Sequence, residues 1–126
     1  MMKLKAFFVL NAVVLGASAL TCLLFPDKVL AIYGVESNPA SSFMGLYGAL
    51  GSIAIVTVTW FARNVEDQKA KRAIILALMI TNVIGIIISI SGIISGVMTK
   101  GWPVVGIYLF FALGYAYFLF LKRDNL

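Results

Sequence analysis

The side chains able to do chemistry are few. The 126-residue chain has no histidine, one cysteine (Cys22) and five carboxylates: Asp27, Glu36, Glu66, Asp67 and Asp124. Without imidazole it lacks the commonest metal ligand and the usual general base near neutral pH. Every catalytic dyad or triad that runs through histidine is excluded with it. One cysteine allows no disulfide within the chain and says nothing about redox compartment. Glu66 and Asp67 could together hold a cation, but they lie beside Lys69, Lys71 and Arg72. A solvated turn that offsets neighbouring charge is the commoner role of such a pair. These residues point to a non-enzymatic chain with no catalytic residues, no metal and no cofactor.

The uncharged polar groups form a second pattern, one of depth. Asn11 stands near the start of the first apolar stretch, and Thr57 and Thr59 near the end of the second. Thr81 and Asn82 lie in the first half of the third, and Tyr115 and Tyr117 near the end of the fourth. If the stretches alternate in direction, all of these groups fall at similar depth and are expected to face one another, because an unpartnered amide in hydrocarbon costs several kcal/mol. Asn11, Thr57, Asn82 and Tyr115 are therefore the candidate ligand-binding residues. The layer can act as hydrogen-bond glue between helices, or as a polar pocket for a lipophilic molecule with one polar end.

The elements that would position these groups follow from composition. Apolar residues make up 62% and charged residues 12%, against about 45–50% and about 25% in soluble domains. Four stretches carry no charge: 6–25, 42–62, 73–98 and 102–121. Each approaches or exceeds the roughly 20 residues that cross a hydrocarbon core about 30 Å thick. The third holds fourteen Ile, Leu and Val residues; at about 1.5 Å per residue it would run about 39 Å and must tilt or project. Asn38-Pro39 reads as a helix cap and first helical residue, opening the second span. Asn64 or Asp67 can cap the third span, Gly101 is expected to end it, and Pro103 suits the start of the fourth. Between the first two spans, Pro26 to Gly34 predicts a short helix with Asp27 in its first turn and Gly34 as terminator. Its apolar side (Val29, Leu30, Ile32, Tyr33) would lie in the interface or over the bundle mouth. The reading is one all-α domain over 1–126: a four-helix transmembrane bundle with a short interfacial helix.

Charge sets the expected orientation. Lys3, Lys5, Arg63, Lys69, Lys71, Arg72, Lys122 and Arg123 fall on one side, and Lys28 and Lys100 on the other. The positive-inside rule then places both termini in the cytoplasm of a multi-pass protein. Trp60 at the inner end, and Tyr33 and Trp102 at the outer, fit aromatic belts. The net charge of +5 sits at span ends rather than along a stripe, so nucleic acid is not the expected partner. Lys3, Lys5, an apolar core and Ala17-Ser18-Ala19 also read as a secretory leader; continuation of the apolar run to Phe25 favours a retained span.

Small residues recur at packing intervals: Gly45-x-x-x-Ala49, Gly48-x-x-x-Ser52, Gly85-x-x-x-Ser89 and Gly92-x-x-x-Gly96, with Gly51 alongside. Gly45, Gly48, Gly51, Gly85, Gly92 and Gly96 are the candidate helix-packing residues, since lipid gives helices no hydrophobic drive to associate and small residues let backbones approach. The second-span glycines could also leave room for a flat ligand.

The segment Phe25-Pro26-Asp27-Lys28-Val29-Leu30-Ala31-Ile32-Tyr33-Gly34-Val35 and the stretch Leu46-Tyr47-Gly48-Ala49, on this four-span layout, resemble small prokaryotic DoxX-like membrane proteins and related families of unknown function. The resemblance implies the fold, in a prokaryotic inner membrane, and no particular activity. Phe43 stands in the region where such families often carry an arginine. The expected function is a packing one, as accessory or scaffold subunit or homo-oligomer, with membrane lipids, its own copies or a larger membrane complex as partners. The other expectation is a binder or carrier of a lipid or quinone through the inner polar layer.

Overall fold

The computed structural model describes residues 3–122. Five helices follow in order: α1 (Leu4–Leu24), α2 (Pro26–Ile32), α3 (Pro39–Ala62), α4 (Gln68–Ile94) and α5 (Trp102–Phe120). All but α2 are long and apolar enough to cross a membrane. The described residues are otherwise turns and short connections, so the chain is an all-helical bundle built on four candidate spans.

Local chemistry sets the ends. Asn38 caps α3: its side chain accepts from the Ser41 amide at 2.9 Å, the Ser41 hydroxyl accepts from the Asn38 amide at 2.9 Å, and Pro39 follows at the first helical position. α3 thus begins three residues before the apolar stretch does. Asp67 caps α4 by accepting from the Ala70 amide. Lys69, Lys71 and Arg72 therefore lie in the first turns of α4 rather than in a turn before it. The helix needs no apolar residues there because lysine and arginine are good helix formers and backbone hydrogen bonding continues into water.

At its other end α4 stops at Ile94, four residues short of the expected end. Gly96 adopts the left-handed conformation (φ 82°) and terminates the helix in the manner of a C′ glycine. Gly101 instead caps the start of α5. Gly34, which ends α2, also has positive φ (72°). A Cβ on Gly34 would collide with Thr99 and the Lys100 backbone. That closeness lets the Lys100 amide donate to the Tyr33 carbonyl at 2.9 Å and the Thr99 hydroxyl to the Gly34 carbonyl at 3.1 Å. Short α2 is thereby tied to the α4–α5 connection at one end of the bundle.

The backbones pack in two close pairs, α1 with α3 and α4 with α5, while α1–α5 and α3–α4 approach less. In the first pair Gly16 lies against Val56, the Cys22 thiol donates to the Gly45 carbonyl, and Ala19 and Ala49 are buried. In the second, the ring of Tyr108 lies over Gly85, where an added Cβ would meet it at 2.7 Å. The pairs are joined by large side chains. Phe7 and Phe8 of α1 and Phe111, Tyr115 and Phe118 of α5 form a buried aromatic core with Ile75 and Leu78 of α4. Phe7 meets Tyr115 edge-on, with ring centroids 4.9 Å apart.

Candidate functional site

The expected polar layer divides. Asn11 and Tyr115 are completely buried, and the Asn11 Nδ2 donates to the Tyr115 hydroxyl at 2.6 Å, joining α1 to α5. Among the described residues the buried Asn11 Oδ1 has no hydrogen-bond partner. Turning the amide over would pair that oxygen with the hydroxyl and leave the NH2 unpaired, so in either orientation one polar atom is in excess. Four other members, Asn82, Thr57, Thr59 and Thr81, turn to their own helices. Asn82 is buried, but its Nδ2 donates to the Leu78 carbonyl at 2.7 Å. Thr57 faces outward and donates to the Ile53 carbonyl at 2.9 Å. The buried threonine of α3 is Thr59, donating to the carbonyls of Ile55 and Val56. Thr81 is exposed and bonds to Ala77. Serine and threonine satisfy a hydroxyl in apolar surroundings by this back-bond to the preceding turn, so equal depth does not oblige these groups to meet.

The candidate packing glycines also divide. Gly85 carries a tight interhelical contact, Gly45 lies 3.8 Å from the Cys22 sulfur by its would-be Cβ, and Gly92 lies against Met98 of the following connection. Gly96 is the helix terminator described above. Gly48 and Gly51 have nothing among the described residues within 4 Å of an added Cβ. Gly48 borders a largely apolar cavity of about 220 Å³ between α1, α2, α3 and α5, reached also by Cys22, Tyr33, Ser52 and Tyr108. This cavity lies in the half of the bundle opposite the Asn11–Tyr115 layer.

Near the same opening Asp27 joins two elements. Its Oδ1 accepts from the hydroxyls of Ser42 at 2.5 Å and Ser37 at 2.7 Å. The Ser42 bond first, and the Ser37 bond after it, hold the carboxyl below the usual carboxylate range.

The other end of the bundle carries a cavity of different character. A space of about 390 Å³ is lined by Lys3, Lys5, Arg63, Lys71 and Lys122, with Leu4, Phe8, Ala62 and Phe118 as its apolar floor. Among the described residues that line it there is no acid. The Arg63 guanidinium lies 3.8 Å over the Trp60 ring and donates to the Trp60 carbonyl. Read for orientation alone, these cations look like a diffuse bias. Alternation of the helices gathers them at one opening, a convergence that the charge at each span end could have signalled. An apolar cleft of about 370 Å³ separates α3 from α4, lined by Ala54, Val58, Ile74, Ala77 and Leu78 among others. Among the described residues no group of three His, Cys, Asp or Glu side chains is placed to hold a metal ion.

No family model, no curated protein and no solved structure matches the chain.

Proposed function

We propose that the protein is a non-enzymatic, multi-pass membrane protein that acts by helix packing, as an accessory or scaffold subunit or a homo-oligomer, with both termini cytoplasmic. One observation carries the reading: at the depth of the polar layer the interior is filled. Asn11 and Tyr115 have no exposed surface, and Phe7, Phe8 and Phe111 close around them. A group sealed in this way holds helices together and offers nothing to a ligand. In support, α3 is the least covered span, with 11% of its apolar window buried, and Phe43, Met44, Tyr47 and Leu50 face outward beside Gly48 and Gly51.

A second reading, the binder of a lipophilic small molecule, is favoured by the cavity beside Gly48, in the other half of the bundle from the polar layer that first suggested it. Native mass spectrometry from a mild detergent tests both. The packing reading expects several copies of the chain, or the chain with another membrane protein. A lone monomer that retains one organic molecule in constant ratio, and loses it when Gly48→Phe fills the cavity beside that glycine, would replace it with the second reading.

A further inference from the structure

Five cations contributed by all four spans surround one cavity. Like charges gathered in this way repel, and an anion placed among them turns that repulsion into attraction. The opposite end balances Lys28 and Lys100 against Asp27 and Glu36, so the whole formal charge of +5 belongs to the end with the cavity. We propose that this end of the bundle binds one anionic phospholipid, its phosphate among Lys3, Lys5, Arg63, Lys71 and Lys122 and an acyl chain in the α3–α4 cleft.

The chemistry of the cavity suits a phosphate. Lysine supplies compact ammonium donors, and arginine a planar fork that matches two phosphate oxygens. Stacking on Trp60 holds that fork in place. α1 starts at the rim with no side-chain cap and no acid in its first turn, so its free amides and positive helix end add to the field. The start of α4, by contrast, is already capped by Asp67. A volume of about 390 Å³ falls within the range of about 300–1,000 Å³ usual for small-molecule sites.

The cleft argues for a lipid over a free anion. On α3, Val58 of the cleft and Ala62 of the cavity are four residues apart. On α4, Lys71 of the cavity precedes Ile74 and Leu78 of the cleft by three and seven. These spacings put cavity and cleft on one face of each helix. The basic opening and the apolar groove therefore lie in line along α3 and α4, the arrangement of a headgroup and its chain. Basic pockets between spans on the cytoplasmic side are sites of this kind.

The shared chemistry is the phosphate anion, so the test separates its sources. The full chain in mild detergent is titrated with phosphatidylglycerol, with phosphatidylcholine of the same chains, or with inorganic phosphate. Native mass spectrometry and the thermal midpoint are the readouts. One phosphatidylglycerol per chain is expected to be retained and to raise the midpoint, phosphatidylcholine is not, and high salt should weaken the effect on the unaltered protein. Replacing Lys5→Gln with Arg63→Gln should weaken binding by about 25-fold, from roughly fivefold per charge. Lys28→Gln with Lys100→Gln, the same loss of charge at the far end, should leave it unchanged. Ala77→Phe, which fills the cleft without touching charge, should also release the lipid. Equal losses from the two charge pairs, or equal retention of phosphatidylcholine, would overturn the proposal. So would inorganic phosphate matching the lipid while Ala77→Phe has no effect.

Discussion

Asn11 and Tyr115 show how one contact can be needed locally and still be imperfect. The amide gives one hydrogen bond to the phenol and leaves its own oxygen, buried, unpaired among the described residues. Leaving a buried group unsatisfied costs about 1–3 kcal/mol, whereas replacing both partners by apolar groups can be nearly neutral. Tyr115→Phe is therefore expected to destabilise the bundle by about 1–3 kcal/mol, because it strands the whole Asn11 amide. Asn11→Leu should cost less, since it also removes the orphaned oxygen, and the double variant should recover part of the Tyr115→Phe loss. Unfolding in mixed micelles would measure the four corners of the cycle. A coupling of about 0.6 kcal/mol, the average for polar contacts between membrane helices, is the benchmark; losses that simply add would mean the two side chains act independently.

At the scale of elements, the pH-sensitive joint is between α2 and α3, where Asp27 gathers Ser37 and Ser42 onto one carboxylate oxygen. Both hydroxyls favour the ionised form, so the folded carboxyl titrates below its unfolded counterpart, whose pKa is about 3.9. The stability drawn from these bonds is therefore complete above that unfolded value and disappears as pH falls through the lower, folded one. The difference in unfolding midpoint between the unaltered protein and Ser42→Ala should stay constant from about pH 8 to about pH 5 and shrink below about pH 4. A difference that instead changed between neutral pH and pH 6 would point to another titrating group. The carboxylate is solvent-exposed, so a small effect is expected. α2 has a second tether in the backbone bond from Lys100 to Tyr33, which does not titrate.

At the scale of the molecule, two helix pairs are joined chiefly by rings. α1–α3 and α4–α5 pack backbone to backbone, and between them Phe7 fills the space beside Gly114. A side chain on Gly114 would run into that ring, and Phe7 has little room to move because it also meets Phe111, Tyr115 and Phe118. Gly114→Val is thus expected to destabilise the bundle by about 1–3 kcal/mol through overpacking. A partial rescue by Phe7→Leu would locate the strain at this contact, and unfolding of the two variants checks it. Gly51→Val, which meets open space, should leave the monomer's stability nearly unchanged, so any loss of assembly in that variant would act between molecules rather than within one.

Much of the fold was legible in the chain because hydrocarbon imposes simple terms. Runs long enough to span, free of charge and closed by Asn38-Pro39, Asp67 and Gly34, announce their helices locally. α4 departs from its apolar run at both ends, although Asp67 marks its start. Its basic first turns looked like a loop, and Gly96 in mid-pattern looked like a packing residue. Positive φ at Gly96 is a property of the chain's path and leaves no mark in composition. The site was much less legible. Depth along a span can be counted from sequence, and it placed Asn11, Thr57, Asn82 and Tyr115 at one level. Rotation about each helix axis cannot be counted so simply when apolar residues surround it, because no polar face marks the inside. Tertiary packing made those choices. It turned Asn11 towards Tyr115, sent Thr57 outward and Thr59 inward, left Gly48 beside a cavity, and brought five separately placed cations around one opening.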